Sequence, residues 1–254
     1  MNFKYLYFRS FLLIYILFSG CVTTPKILFD DPVNTKNKRI TIQEKRLFSF
    51  EESGIYFSND FQGARLNDVI KKNDSSFIIS ILPENEPINP SPFYAFKAWS
   101  KSSKNIFLEF NYPDSYKHRY FPKVLSEGKW LISDSSSFQE LDNKWILELT
   151  LDNRPIIISG QELNSSDIVY SWVNEVIRGK ETYVTFKKIG KSKLKRPFMV
   201  IDIYKGSPEE KPIVVLITRQ HPPEVTGYFA FKSYLSTILD ENELSSDFLE
   251  KYRI

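Results

Sequence analysis

The feature that most constrains the fold is a change of hydrophobic period near residue 162. From Phe48 to about Ser159 the chain reads as short apolar alternations divided by Asn, Asp, Pro, Gly and Ser: SFIISILP, FYAFKAW, NIFLEFNY, KWLIS, KWILELTL and RPIIISG. A period of two over four to eight residues marks half-buried strands, and a series of them predicts an antiparallel β-sandwich. Phe93, Tyr94, Phe96, Trp99, Trp130 and Trp145 are the aromatics expected to fill its core.

Beyond that point the spacing becomes helical. In SSDIVYSWVNEVIRGK the apolar positions Ile168, Val169, Trp172, Val173, Val176 and Ile177 share one face, opened by Ser165 or Ser166 and closed by Gly179. Three strand candidates follow, YVTFKKIG, PFMVIDIY and PIVVLITR, and then a helix from about Pro223 carrying Phe229, Phe231, Tyr234, Leu235 and Ile238. The run Ile213 to Ile217 is so continuously apolar that it reads as a strand covered on both faces. The expected architecture is α+β with two domains: the antiparallel sandwich over 47–162, then the first part of an α/β, mixed-sheet domain over 163–254.

The N-terminus sets the compartment. Lys4 and Arg9 precede the apolar run FLLIYILF and then Ser19, Gly20 and Cys21, the only cysteine of the 254-residue chain. The run is shorter than the roughly 20 apolar residues that span a bilayer. It resembles a bacterial lipoprotein signal, which implies cleavage after residue 20, lipidation of Cys21 and a place in the bacterial cell envelope, with the outer membrane favoured because Val22 is not an aspartate. The mature chain then holds no disulfide, and its stability rests on packing. Residues 21–46 are polar, lysine-rich and aperiodic, as expected of a tether. Loss of Lys4 and Arg9 lowers the formal charge from +3 to +1, which is no nucleic-acid signature.

Two histidines leave few catalytic schemes. His118 lies in YKHRYFPK among Lys117, Arg119 and Lys123, a cationic setting that disfavours a dication. His221 is placed differently, at the carboxyl end of the 213–217 run and three residues before Glu224, with Pro222 and Pro223 stiffening the corner. A neutral imidazole and a carboxylate are suitable zinc ligands. The spacing alone is equally that of a hydrogen-bonded loop histidine and a first-turn acid favoured by the helix dipole. Arg219, at the end of the same run, reads as a solvated charge.

The wider string IGKS, PFMVIDIYKG and KPIVVLITRQHPPEVTGYFAF resembles the start of the catalytic domain of zinc carboxypeptidases, in the branch that includes the cytosolic carboxypeptidases. FQGARLNDV, LPENEPINPSPFYAFKAW and HRYFPKVLSEGKW resemble the β-sandwich that precedes that domain, so the resemblance runs from about residue 48 to 239. It implies that His221 and Glu224 are two of three protein ligands to Zn2+ and that the substrate is a peptide hydrolysed at its C-terminal bond. The classical enzymes carry an Arg where Pro223 stands, a departure here. A third ligand histidine, a carboxylate-binding Asn-Arg pair and a general-base glutamate are expected farther along. The chain stops thirty residues after Glu224 without them, so it is expected to be an incomplete catalytic domain, or one whose sheet a second chain completes. The alternative is a noncatalytic envelope lipoprotein whose sandwich binds a peptide, glycan or protein partner.

Overall fold

The computed structural model describes residues 37, 40–83, 92–114 and 116–254. Residues 1–20, the lipidation position Cys21 and most of the tether lie outside the described residues, as does part of LPENEPINPSP. Residues 40–254 fall within one compact unit.

Eleven strands precede the first described helix. A six-stranded sheet has the order β1-β2-β5-β11-β7-β8, formed by β1 (Leu47–Phe50), β2 (Ile55–Ser58), β5 (Ala95–Ser100), β11 (Ile156–Ser159), β7 (Lys123–Ser126) and β8 (Lys129–Ile132). A five-stranded sheet has the order β3-β4-β6-β10-β9, formed by β3 (Asp68–Lys71), β4 (Ser76–Ser80), β6 (Lys104–Asn111), β10 (Lys144–Leu151) and β9 (Phe138–Leu141). The pleat sends alternate residues of each sheet into one shared core: Ile55, Phe57, Phe96 and Ile158 from the first meet Phe77, Ile79, Ile106, Leu108 and Leu147 from the second. Phe57 and Phe77 touch across the layers with ring centroids 5.3 Å apart in an edge-on arrangement.

Two details correct the sequence reading of this half. β4 and β6 pair in parallel, Phe77 opposite Leu108, so the second sheet is mixed rather than antiparallel. Residue alternation reports which face is buried and is silent on which strand lies beside which. Of the aromatics expected in the core, Phe93, Tyr94 and Phe96 are buried, Trp145 packs against the cluster half-buried, and Trp99 instead stacks on Tyr56 at 5.4 Å. The two tight hairpins use positive φ at both central residues, Glu127 and Gly128 between β7 and β8, and Asp142 and Asn143 between β9 and β10, which matches the right-handed twist of the strands.

Residues 40–46, expected to belong to a tether, are bound to the body. Gln43 is buried, its amide donating to the Ala64 carbonyl and accepting from the Leu66 N–H at 2.7 Å, while the Asn59 amide donates to the carbonyls of Glu44 and Leu66, each at 2.7 Å. Residues 40–46 form no helix or strand, yet two buried side-chain amides hold them in place.

The second half begins with α1 (Ser166–Val176), capped by Ser165, whose hydroxyl accepts from the Ile168 N–H, and left through Gly179 at φ +79°. β12 (Val184–Lys191) and β13 (Pro197–Ile203) form an antiparallel pair, followed by α2 (Val225–Ile238) and α3 (Glu243–Lys251). Val184, Ile203, Leu235, Leu239 and Leu249 make a second core, closed by Trp172, Val176 and Phe231. The third of the predicted strands is absent. Residues 213–217 touch other backbone only at their start, where Val214 donates to the Arg253 carbonyl and Ile213 bridges Arg253 in parallel. Ile213, Val215 and Ile217 are exposed rather than covered on both faces. Apolar composition supplies the demand for neighbours but not the neighbours themselves, and among the described residues the sheet ends here.

Candidate metal centre

His221 and Glu224 meet at the corner between residues 213–220 and α2. The His221 Nδ1 is hydrogen-bonded to Glu224 Oε1, and the other carboxylate oxygen accepts from the His221 backbone N–H at 3.0 Å. A Glu224 backbone bond to the His221 carbonyl, 3.2 Å, closes the turn. Glu224 occupies the N-cap position of α2 but its side chain caps nothing; it folds back on the imidazole instead. These bonds, the imidazole first and the His221 backbone N–H second, hold the Glu224 carboxyl below its ordinary range. Both side chains are about half exposed, so the pair is open to solvent and to an incoming cation or ligand.

Arg219 corrects the reading of a solvated charge. It is half-buried, its guanidinium donating to the Asn164 carbonyl and lying 6.0 Å from the Tyr228 ring, and burial lowers its pKa. Its Nε has no partner among the described residues, and the residue adopts φ +50°, a left-handed conformation that costs a non-glycine residue of the order of 1 kcal/mol or more. Strain and an unsatisfied buried donor thus fall two residues before His221.

Tyr120 is the neighbour that sequence reasoning missed. Burial raises its phenol pKa against the opposing positive charge of Arg119, and the negative charge of Glu224 adds a smaller rise. Gly160 lets the loop between β6 and β7 approach: a Cβ there would stand 3.2 Å from the Tyr120 side chain. A YF or GQ pair in sequence carries no signal of this contact.

His118 is not brought to the corner's ligand pair. Its imidazole stacks on Trp145 at 5.3 Å and packs against Phe110 and Phe138, with Nδ1 accepting from the Tyr112 hydroxyl at 2.8 Å and Nε2 donating to the Tyr120 carbonyl at 2.6 Å. Both nitrogens are satisfied, and burial pushes its pKa down to about 4. It is a core histidine.

A cleft of about 670 Å³ opens beside the corner, lined by Arg65, Arg196, Arg219, Gln220 and Pro222 together with Asn164 and Ser165 at the start of α1. A second of about 680 Å³ runs between Leu216, Ile217 and Gln220 and the Gly227, Ala230 and Phe231 face of α2, with Glu224 on its wall.

The donor set suits part of a zinc site: one imidazole nitrogen and one carboxylate converge on a stiff, accessible corner. Among the described residues no group of three or more His, Cys, Asp or Glu side chains could hold a metal ion. Protein zinc sites supply three or four ligands, so these two residues could make up only part of one.

No family model and no curated protein matches the sequence. Solved structures do. A carboxypeptidase A candidate from Shewanella denitrificans OS-217 is similar with a TM-score of 0.65 at 18% identity, over 78% of this chain and 52% of that one. A metallo-carboxypeptidase from Burkholderia cenocepacia gives 0.63 at 12%, over 78% and 54%. A metallo-carboxypeptidase from Pseudomonas aeruginosa, solved with (2-guanidinoethylmercapto)succinic acid, gives 0.60 at 14%, over 78% and 53%. The chain therefore has the fold of metallo-carboxypeptidases over about half the length of the structures it matches.

Proposed function

We propose that this chain carries the first part of a zinc metallocarboxypeptidase of the branch that includes the cytosolic carboxypeptidases, an enzyme that hydrolyses C-terminal peptide bonds. The observation that carries this reading is the His221–Glu224 pair, two ligand-type side chains held at an exposed corner in a chain with this fold. The two facing sheets are then the sandwich that precedes the catalytic domain.

Within that reading His221 and Glu224 hold Zn2+, which when bound supplies Lewis acidity toward a peptide carbonyl. The chain's own contribution is positional. Pro222 and Pro223 fix the corner, the His221 backbone N–H orients the Glu224 carboxylate, and the pair supplies two of the three or four ligands that a zinc site needs. Lipidation at Cys21 would keep the body beside the bacterial envelope, the outer membrane favoured, where peptides are the available substrates.

The test is zinc bound by the full chain, together with release of the C-terminal residue from short peptides with and without a chelator. Chelator-sensitive release that disappears in His221→Ala, with the sheets still folded by circular dichroism, is the expected result. Release unaffected by that substitution would sink the assignment.

A further inference from the structure

The cleft of about 670 Å³ beside the corner is cationic and apolar at once. Lys45, Arg65, Arg196 and Arg219 line it, against one carboxylate among the described residues, that of Asp60. Ile42 and Leu194, 61% and 50% exposed, and the half-buried Phe61 give it an apolar side. The Arg219 guanidinium donates to the Asn164 carbonyl, a neutral acceptor that leaves its charge in place, and its Nε has no partner among the described residues. A half-buried charge without a counter-ion costs free energy that a bound anion offsets. Arg196 comes to the same wall from the turn between β12 and β13. That turn is fixed by the Ser192 N–H donating to the Arg196 carbonyl at 2.9 Å and the Arg196 N–H donating to the Ser192 hydroxyl at 3.2 Å. Asn164 and Ser165 add the positive end of α1, a helix of 11 residues.

We propose that this cleft binds a small organic anion, a carboxylate or phosphate head on an aliphatic body, with the head held by Arg196 and Arg219 and the body against Ile42, Phe61 and Leu194. The planar guanidinium fork matches either head. A bare inorganic anion would leave the apolar side wet, and a neutral aliphatic molecule would leave the Arg219 charge uncompensated, so the lining favours both features in one ligand. Glu224 lies on the wall of the other cleft, and the assignment does not rest on the metal reading.

The experiment titrates the full chain, in the presence of a chelator so that no metal takes part, with hexanoate, hexyl phosphate, hexanol and inorganic phosphate, and follows backbone amide resonances. Saturable shifts at Gly63, Ser165 and Leu194 are expected with hexanoate, hexyl phosphate or both, and which of the two binds identifies the head. Hexanol and inorganic phosphate should bind about tenfold more weakly or worse. Leu194→Ser with Arg196→Gln, both at exposed turn positions, should weaken binding about tenfold, while Lys129→Gln on β8, outside the cleft, should leave it unchanged. Wild-type affinity should also fall as salt is raised, a reading that needs no variant. The proposal is overturned if neither hexanoate nor hexyl phosphate saturates, if hexanol or inorganic phosphate binds as tightly as they do, if the shifts fall away from the cleft, or if binding ignores both the double substitution and salt.

Discussion

Asp202, in the last turn of β13's pleat, grips Arg253 fifty-one residues later through two parallel hydrogen bonds, Nε to Oδ1 and Nη2 to Oδ2, both 2.7 Å. Lys187 on β12 adds a third at 2.7 Å, and Asp202 is 6% exposed. A nearly buried carboxylate is tolerable only when paired in this way, and the pairing ties residues 252–254 to the hairpin.

Asp202→Asn should therefore destabilise the second half by about 1–3 kcal/mol, since a charged hydrogen-bond network is lost and Arg253 is left without its partner. The Arg253 bonds, ahead of those from Lys187, hold the Asp202 carboxyl down to about 2. With the folded pKa below the ordinary one, this stabilisation is present above about pH 4 and is lost as the pH falls through about 2. Urea unfolding of the wild type and the variant between pH 2 and 7 checks both the size and the window.

His118 titrates in a separate window. Burial lowers its folded pKa to about 4, against an ordinary value of about 6.5, so between those limits the unfolded chain binds a proton that the folded chain excludes. Stability is expected to fall by about 2–3 kcal/mol as the pH drops from 6.5 toward 4, and to show no further loss from this group below that. His118→Phe should flatten this part of the pH profile in chemical denaturation, at the cost of the Tyr112 hydroxyl's acceptor, while the Tyr120 carbonyl keeps the Tyr94 hydroxyl as donor at 2.8 Å.

Phe77 is fully buried between Phe50 at 5.0 Å and Phe57 at 5.3 Å, where the two sheets meet. Phe77→Ala should cost about 3–5 kcal/mol, because the cavity it leaves lies between two strands that cannot collapse together. Phe107 on β6 points outward and is 37% exposed, so Phe107→Ala should cost about 1 kcal/mol or less. Thermal denaturation of the two variants side by side measures the contrast.

The legible parts of the fold were those carried by local period. Strands such as KWILELTL and the Ser165-capped helix announce themselves because alternation and capping are properties of neighbouring residues. The parallel partnership of β4 and β6 depends on chain routing, which leaves no trace in either strand. α3 escaped because only Leu244, Phe248 and Leu249 are apolar along it, although Asn242, whose side chain accepts from the Ser245 N–H at 2.9 Å, was an available start signal. The run at 213–217 misled in the opposite direction: its composition reads as covered on both faces, yet Ile213, Val215 and Ile217 are exposed among the described residues. His221 and Glu224 were singled out by the resemblance of the string around them and not by their spacing, whereas the left-handed conformation of Arg219 nearby depends on tertiary approach.

The pairing of His221 with Glu224 as metal ligands is tested most directly by the histidine resonances of the full chain, because there are only two. On titration with Zn2+, the His221 ring signals should shift in a weak but saturable way, as befits two ligands, while those of the buried His118 stay in place. Glu224→Ala should abolish the shift. An unmoved His221, or a shift of equal size in Glu224→Ala, would contradict the assignment of this corner as a metal centre.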